Sequence, residues 1–136
     1  MQIFTDLTEY INDINSYGFI THLHSKRNCI YDECDAVIRG RKDKKENIQI
    51  YKKFLSEVGM PKGYGLLECN VLVRQHNNPQ CIKIMEEWWK EFKNEVKRDQ
   101  LLLPYILYKS GIRINEIGLM GESILLNSSF RIQKHK

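Results

Sequence analysis

Apolar residues recur three and four apart at Leu7, Tyr10, Ile11 and Ile14, which predicts a first helix capped at Asp6 or Thr5 and ending near Tyr17-Gly18. Gly18 to His24 then reads as a short strand. Tyr31 to Arg39 returns to a helical pattern that Gly40 ends. Asp43 opens a second stretch in which Ile48, Tyr51, Phe54, Leu55 and Val58 form one apolar stripe, closed by Gly59 and Pro61. Glu68 to His76 is the clearest strand in the chain. Asn78, with Pro79 behind it, is suited to cap a long helix bearing Cys81, Met85, Trp88, Trp89, Phe92 and Val96. A further helix follows and stops at Ser110-Gly111, and Ile112 to Ile117 predicts a last strand.

Strands alternating with helices predict an α/β fold. The expectation is a small mixed sheet of about three to four strands packed by four to five helices. Residues 1–136 form a single domain in this reading, with 131–136 (R-I-Q-K-H-K) as a frayed basic tail.

Composition changes this picture little. The chain is 28% charged and 42% hydrophobic, proportions of an ordinary globular protein. Its net charge of +4 is spread among acidic residues, which leaves room for an anionic ligand and does not demand nucleic acid. The longest basic run, Arg39 to Lys45, is interrupted by Asp43 and reads as a solvated loop and helix start. No leader pattern or membrane-length apolar run appears, and the expected location is the cytoplasm. Cys29, Cys34, Cys69 and Cys81 fit neither zinc-site nor redox spacing and are expected as buried or half-buried thiols.

Candidate chemistry concentrates in three places. Strict alternation along Glu68 to His76 would put Glu68, Asn70, Leu72, Arg74 and His76 on one face and Cys69, Val71, Val73 and Gln75 on the other. An acid, an amide, a guanidinium and an imidazole on one strand face suit the wall of a ligand cleft. In Thr21 to Glu33, His22 and His24 share a strand face; with no third ligand evident they read as unliganded, and no metal site is expected. Arg27 and Glu33 follow, able to pair with each other or to bond a sugar hydroxyl. Trp88 and Trp89 read as core packing, with a stacking platform as the alternative.

The third place is Arg98-Asp99-Gln100, directly before Leu101-Leu102-Leu103-Pro104. Asp99 could cap the helix that follows. Pro104 would then be the fifth helical residue, where its ring starts to clash with the preceding turn. A start at Leu103-Pro104 would instead leave Asp99 and Gln100 facing a ligand.

H-S-K-R-N-C-I-Y-D-E, P-K-G-Y-G-L-L-E with V-L-V-R-Q-H-N, W-W-K-E-F and R-D-Q-L occur in an order and at a spacing that resemble a known family. It is the glycosyltransferase-like domain of the plant TOD/MUCI proteins and bacterial capsule-type proteins, similar to nucleotide-sugar transferases of the GT-A type. The resemblance covers about residues 21–115 and implies transfer of a sugar from a nucleotide sugar to a glycan or other hydroxyl acceptor. It implies Asp99, Gln100 and Glu68 as catalytic residues, with Glu68 as the candidate base. His24, Arg27, Glu33, Arg74, His76 and Arg98 are implied as substrate-binding. An intact enzyme of this family would use a divalent metal, Mn or Mg, held by an Asp-x-Asp motif, and no such motif occurs in this chain. The expectation is therefore a truncated GT-A-like fold, the acceptor-side half alone. It would be incomplete or inactive by itself, with no cofactor of its own, and would rely on a partner polypeptide or homo-oligomer. A non-catalytic carbohydrate-binding or assembly module is the alternative.

Overall fold

The computed structural model describes residues 2–3, 10, 14, 17–93, 96–121 and 130–131. In chain order these form β1 (Gln2–Ile3), β2 (Phe19–Leu23), α1 (Ile30–Arg39), α2 (Lys45–Glu57), β3 (Leu67–Arg74), α3 (Pro79–Phe92), α4 (Asp99–Lys109), a 3-10 turn (Ile114–Glu116) and β4 (Phe130–Arg131). The fold is a small mixed α/β structure with four described α-helices, the class that the alternating pattern predicts. The helix expected over Leu7 to Ile14 lies outside the described residues, apart from Tyr10 and Ile14.

The helix at the centre is α4, because its sequence leaves it no polar side. Leu101, Leu102, Leu103, Pro104, Ile106 and Leu107 are all buried. It packs against α1, α3 and β3. Truncating one of these leucines to alanine costs about 2–5 kcal/mol through lost burial and the cavity left behind. The other helices each contribute one stripe: Ile30, Cys34 and Val37 from α1, Ile48, Tyr51 and Leu55 from α2, and Cys81, Ile84 and Trp88 from α3. The broader stripe expected on α2 is divided, since Phe54 (37%) and Val58 (41%) remain exposed.

Pro104 sits inside α4 and does not mark its start. Its missing N–H leaves the Gln100 carbonyl without its i+4 donor. Beside that gap, the Tyr51 hydroxyl donates to the Leu101 carbonyl at 2.8 Å. Burial pushes the Tyr51 phenol well above its ordinary value, so it stays protonated and able to donate.

Both described ladders are antiparallel: β1 with β4, and β2 with β3. Arg131, expected to begin a frayed tail, pairs with Gln2, while residues 132–136 lie outside the description. The strand expected over Ile112 to Ile117 is instead the 3-10 turn, where the Arg113 N–H donates to the Glu116 carboxylate at 2.9 Å. That turn directs the chain along the free edge of β2. There Thr21 N–H meets the Ile117 carbonyl at 3.0 Å, Met120 N–H the Thr21 carbonyl at 3.1 Å, and Leu23 N–H the Gly121 carbonyl at 2.8 Å.

Asn78 caps α3 as its sequence predicts, accepting from the N–H groups of Gln80 and Cys81. The cap lies so close to the start of β2 that a Cβ at residue 18 would come within 2.7 Å of the Asn78 side chain. Gly18 also has φ +81, so glycine satisfies both demands. Among the described residues no helix is long and apolar enough to cross a membrane.

Candidate functional site

The arrangement of polar groups is decided by a bulge in β3. Ile20 pairs with Val73, and the next recorded pair is His22 with Glu68. Over that interval β2 advances two residues (20 to 22) while β3 advances five (73 to 68). Three extra residues are an odd number, so the side-chain alternation of β3 reverses across the bulge. The Thr21 hydroxyl lies at its centre, within 2.6 Å of the Glu68 and Val71 carbonyls.

This reversal corrects the single polar face expected for the strand. Arg74, opposite Phe19, and Leu72 face the main core and α3. Val71 and Val73 face the other way and pack on a small cluster of Ile20, Tyr10 and Met120. Glu68, paired across the ladder with His22, lies on that second face. Glu68 and Arg74 are thus on opposite sides of the sheet. His76 has passed the end of the strand and is exposed in the turn before α3.

At the other end of β2, His24, Arg27 and Glu33 do come together, and they satisfy one another. The Arg27 guanidinium pairs directly with the buried Glu33 carboxylate. His24 Nε2 lies 3.7 Å from the same carboxylate, and its Nδ1 accepts from the N–H groups of Lys26 and Arg27. Burial lowers the pKa of His24, with Glu33 pulling the other way, and burial lowers that of His22 against the attraction of Glu68. This is a structural knot that fixes the loop into α1, the first of the two roles the sequence left open for Arg27 and Glu33. Among the described residues no group of three or more His, Cys, Asp or Glu side chains is placed to hold a metal ion.

The principal candidate is a groove of about 370 Å³ between β3, α3 and the start of α4. Leu72, Met85, Trp88, Trp89 and Phe92 make it aromatic and apolar, and among the described residues Arg74 and Asp99 are its charged groups. The expected core role holds for Trp88, which is 8% exposed, but not for Trp89, which is 58% exposed. Adjacent helical residues diverge by about 100°, so one can be buried while the other is presented. Trp89 lies flat against Phe92, with centroids 5.7 Å apart and planes 15° from parallel. Met85, Trp88, Trp89 and Phe92 all line the groove, although sequence reasoning assigned them to packing. Their signal was the paired tryptophans, which helical geometry keeps from sharing one buried direction.

Arg98, Asp99 and Gln100 form the first turn of α4. Arg98 is the N-cap but makes no side-chain cap bond, and Asp99 is the first helical residue. Beside the groove these three border a smaller recess of about 150 Å³ with Cys69 and Lys97. Desolvation raises the Asp99 carboxyl above its ordinary value, and Arg98 opposes the shift. The structure therefore joins Asp99 to Arg74 at the groove and to Arg98 and Gln100 at the recess. It leaves Glu68, His24, Arg27, Glu33 and His76 outside the lining of both.

Comparison of the chain with protein-family models, with curated protein sequences and with solved structures finds no match.

Proposed function

We propose that the chain is a glycosyltransferase-like protein whose groove along α3 holds the sugar acceptor. The observation that carries this reading is the groove itself: an aromatic floor beneath one carboxylate and one guanidinium. A sugar ring presents C–H groups to an aromatic surface and hydroxyls at its rim, so this mixture of surfaces matches its chemistry. In this reading Asp99 accepts hydrogen bonds from sugar hydroxyls, and Gln100 and Arg98 hold a neighbouring polar group in the recess. A nucleotide sugar and its divalent metal belong with a partner polypeptide or a second body. The bulge favours a second reading, a sugar-binding module without transfer. It turns Glu68, the expected base, to the far side of the sheet and leaves Asp99 as the one carboxylate lining the groove among the described residues.

The test is titration of the full chain with a nucleotide sugar and with an acceptor oligosaccharide, each with and without manganese, followed by a transfer assay. Acceptor binding weakened by Asp99→Asn, together with transfer, supports the enzyme. Acceptor binding without nucleotide affinity supports the module. Absence of sugar binding refutes both.

A further inference from the structure

Among the described residues the charge around the groove is unequal. Arg74 lines it, and among the described residues no carboxylate lies within ion-pair distance of its guanidinium. The Lys93 ammonium stands 5.4 Å from the Trp89 ring centroid and that of Lys97 5.5 Å from the Phe92 ring. Lys97 is also tethered to the end of α3 through the Phe92 carbonyl, at 2.6 Å. The acidic residues of α3 do not offset these cations at the lining. Glu87 is 3.7 Å from Lys109, Glu91 lines a different groove with Ile50 and Phe54, and Glu86 lines neither. Among the described residues the buried Trp88 indole Nε1 has no hydrogen-bond acceptor either.

Resting on the sugar-binding reading above, we propose that this groove selects a sugar carrying an anionic substituent, a carboxylate or a phosphate. Arg74 offers the paired N–H groups that bind a planar or tetrahedral oxyanion in two-point fashion. Lys93 and Lys97 add attraction at the rim. Asp99 takes the hydroxyl side of the same ring. Its carboxylate also repels a continuous phosphate backbone, which is why a discrete acidic sugar is favoured over single-stranded nucleic acid, the other ligand that aromatic rings and cations accommodate.

The experiment is a calorimetric titration of the full chain with three ligands matched in linkage and length. These are a neutral oligosaccharide, its hexuronate counterpart and its 6-phosphorylated counterpart, and an oligonucleotide is run beside them. The expected result is at least ten-fold tighter binding of one or both acidic ligands, weakening as salt rises. The preference should shrink to about two-fold or less in Arg74→Gln, which changes an exposed side chain and leaves the core intact. The stronger of the two acidic arms identifies the substituent. Equal affinity for neutral and acidic sugars overturns the selectivity while leaving the sugar site standing. Binding of no sugar overturns both. Oligonucleotide binding tighter than any sugar and unchanged in Asp99→Asn overturns the choice of ligand.

Discussion

Asp99 combines two opposed influences. The first turn of a helix favours a negative charge, since the unpaired N–H groups there carry the positive end of the dipole. Desolvation by the surrounding protein opposes it and prevails, raising the carboxyl. A folded-state value above the unfolded one gives stability at low pH that is lost as pH rises through the folded value. Asp99→Asn should therefore fold as well as the parent at neutral pH, so that any lost sugar binding reports the site and not the scaffold. The thiols form a second prediction at this scale. Burial pushes both Cys34 and Cys69 up to about 12, leaving almost no thiolate at pH 8. In native protein a thiol-reactive dye should label these two far more slowly than in urea, as peptide mapping of each cysteine will report. Rapid native labelling of both would contradict their environments. The burial of Cys34 and the partial burial of Cys69 were legible from sequence because isolated cysteines without ligand spacing behave as small apolar residues.

Elements whose period is unbroken were the legible ones. The spans of α1 and α3 and the Asn78 cap stand close to where the sequence puts them, although Trp89 turns outward and Val96 lies beyond the end of α3. Period-two counting failed along β3 because three residues are inserted between the Ile20 and His22 pairs, and nothing in V-L-V-R announces an insertion. The same blindness moved Glu68 out of the candidate site and left Arg74 in it. Pro104 misled in the opposite direction: it looks like a helix start, yet α4 runs through it, buried among the leucines of the central helix. The bulge depends on Thr21, whose hydroxyl bonds inside it. Thr21→Val keeps the shape and deletes the donor, so it should cost about 1–3 kcal/mol. Urea unfolding measures that loss, and an unchanged midpoint would show that the hydroxyl does not hold the bulge.

Over the whole molecule, two titratable histidines sit in or beside the sheet while the candidate groove lies on the α3 side. His22 and His24 are both lowered from 6.5 by burial. A folded value below the unfolded one leaves stability unaffected at higher pH. As pH falls through about 6.5 the unfolded chain takes the proton first and stability drops. Urea midpoints measured from pH 8 to 5 should fall below pH 6.5, and His24→Gln should flatten part of that fall. Identical slopes for the two proteins would remove His24 from the account. This acid sensitivity belongs to the fold and is separate from the groove. The fold class and the R-D-Q turn beside the groove could be anticipated from the chain. The rest of the groove could not, since it is assembled from Leu72 and Arg74 on one strand and four side chains of a helix, which only tertiary packing brings together.

The most direct test is calorimetric titration of an acceptor oligosaccharide into the full chain and into Asp99→Asn. The account expects saturable one-site binding to the parent, weakened at least about ten-fold in the variant, as removal of a hydrogen bond to a charged group requires. Equal binding by the two proteins, or none by the parent, would contradict it.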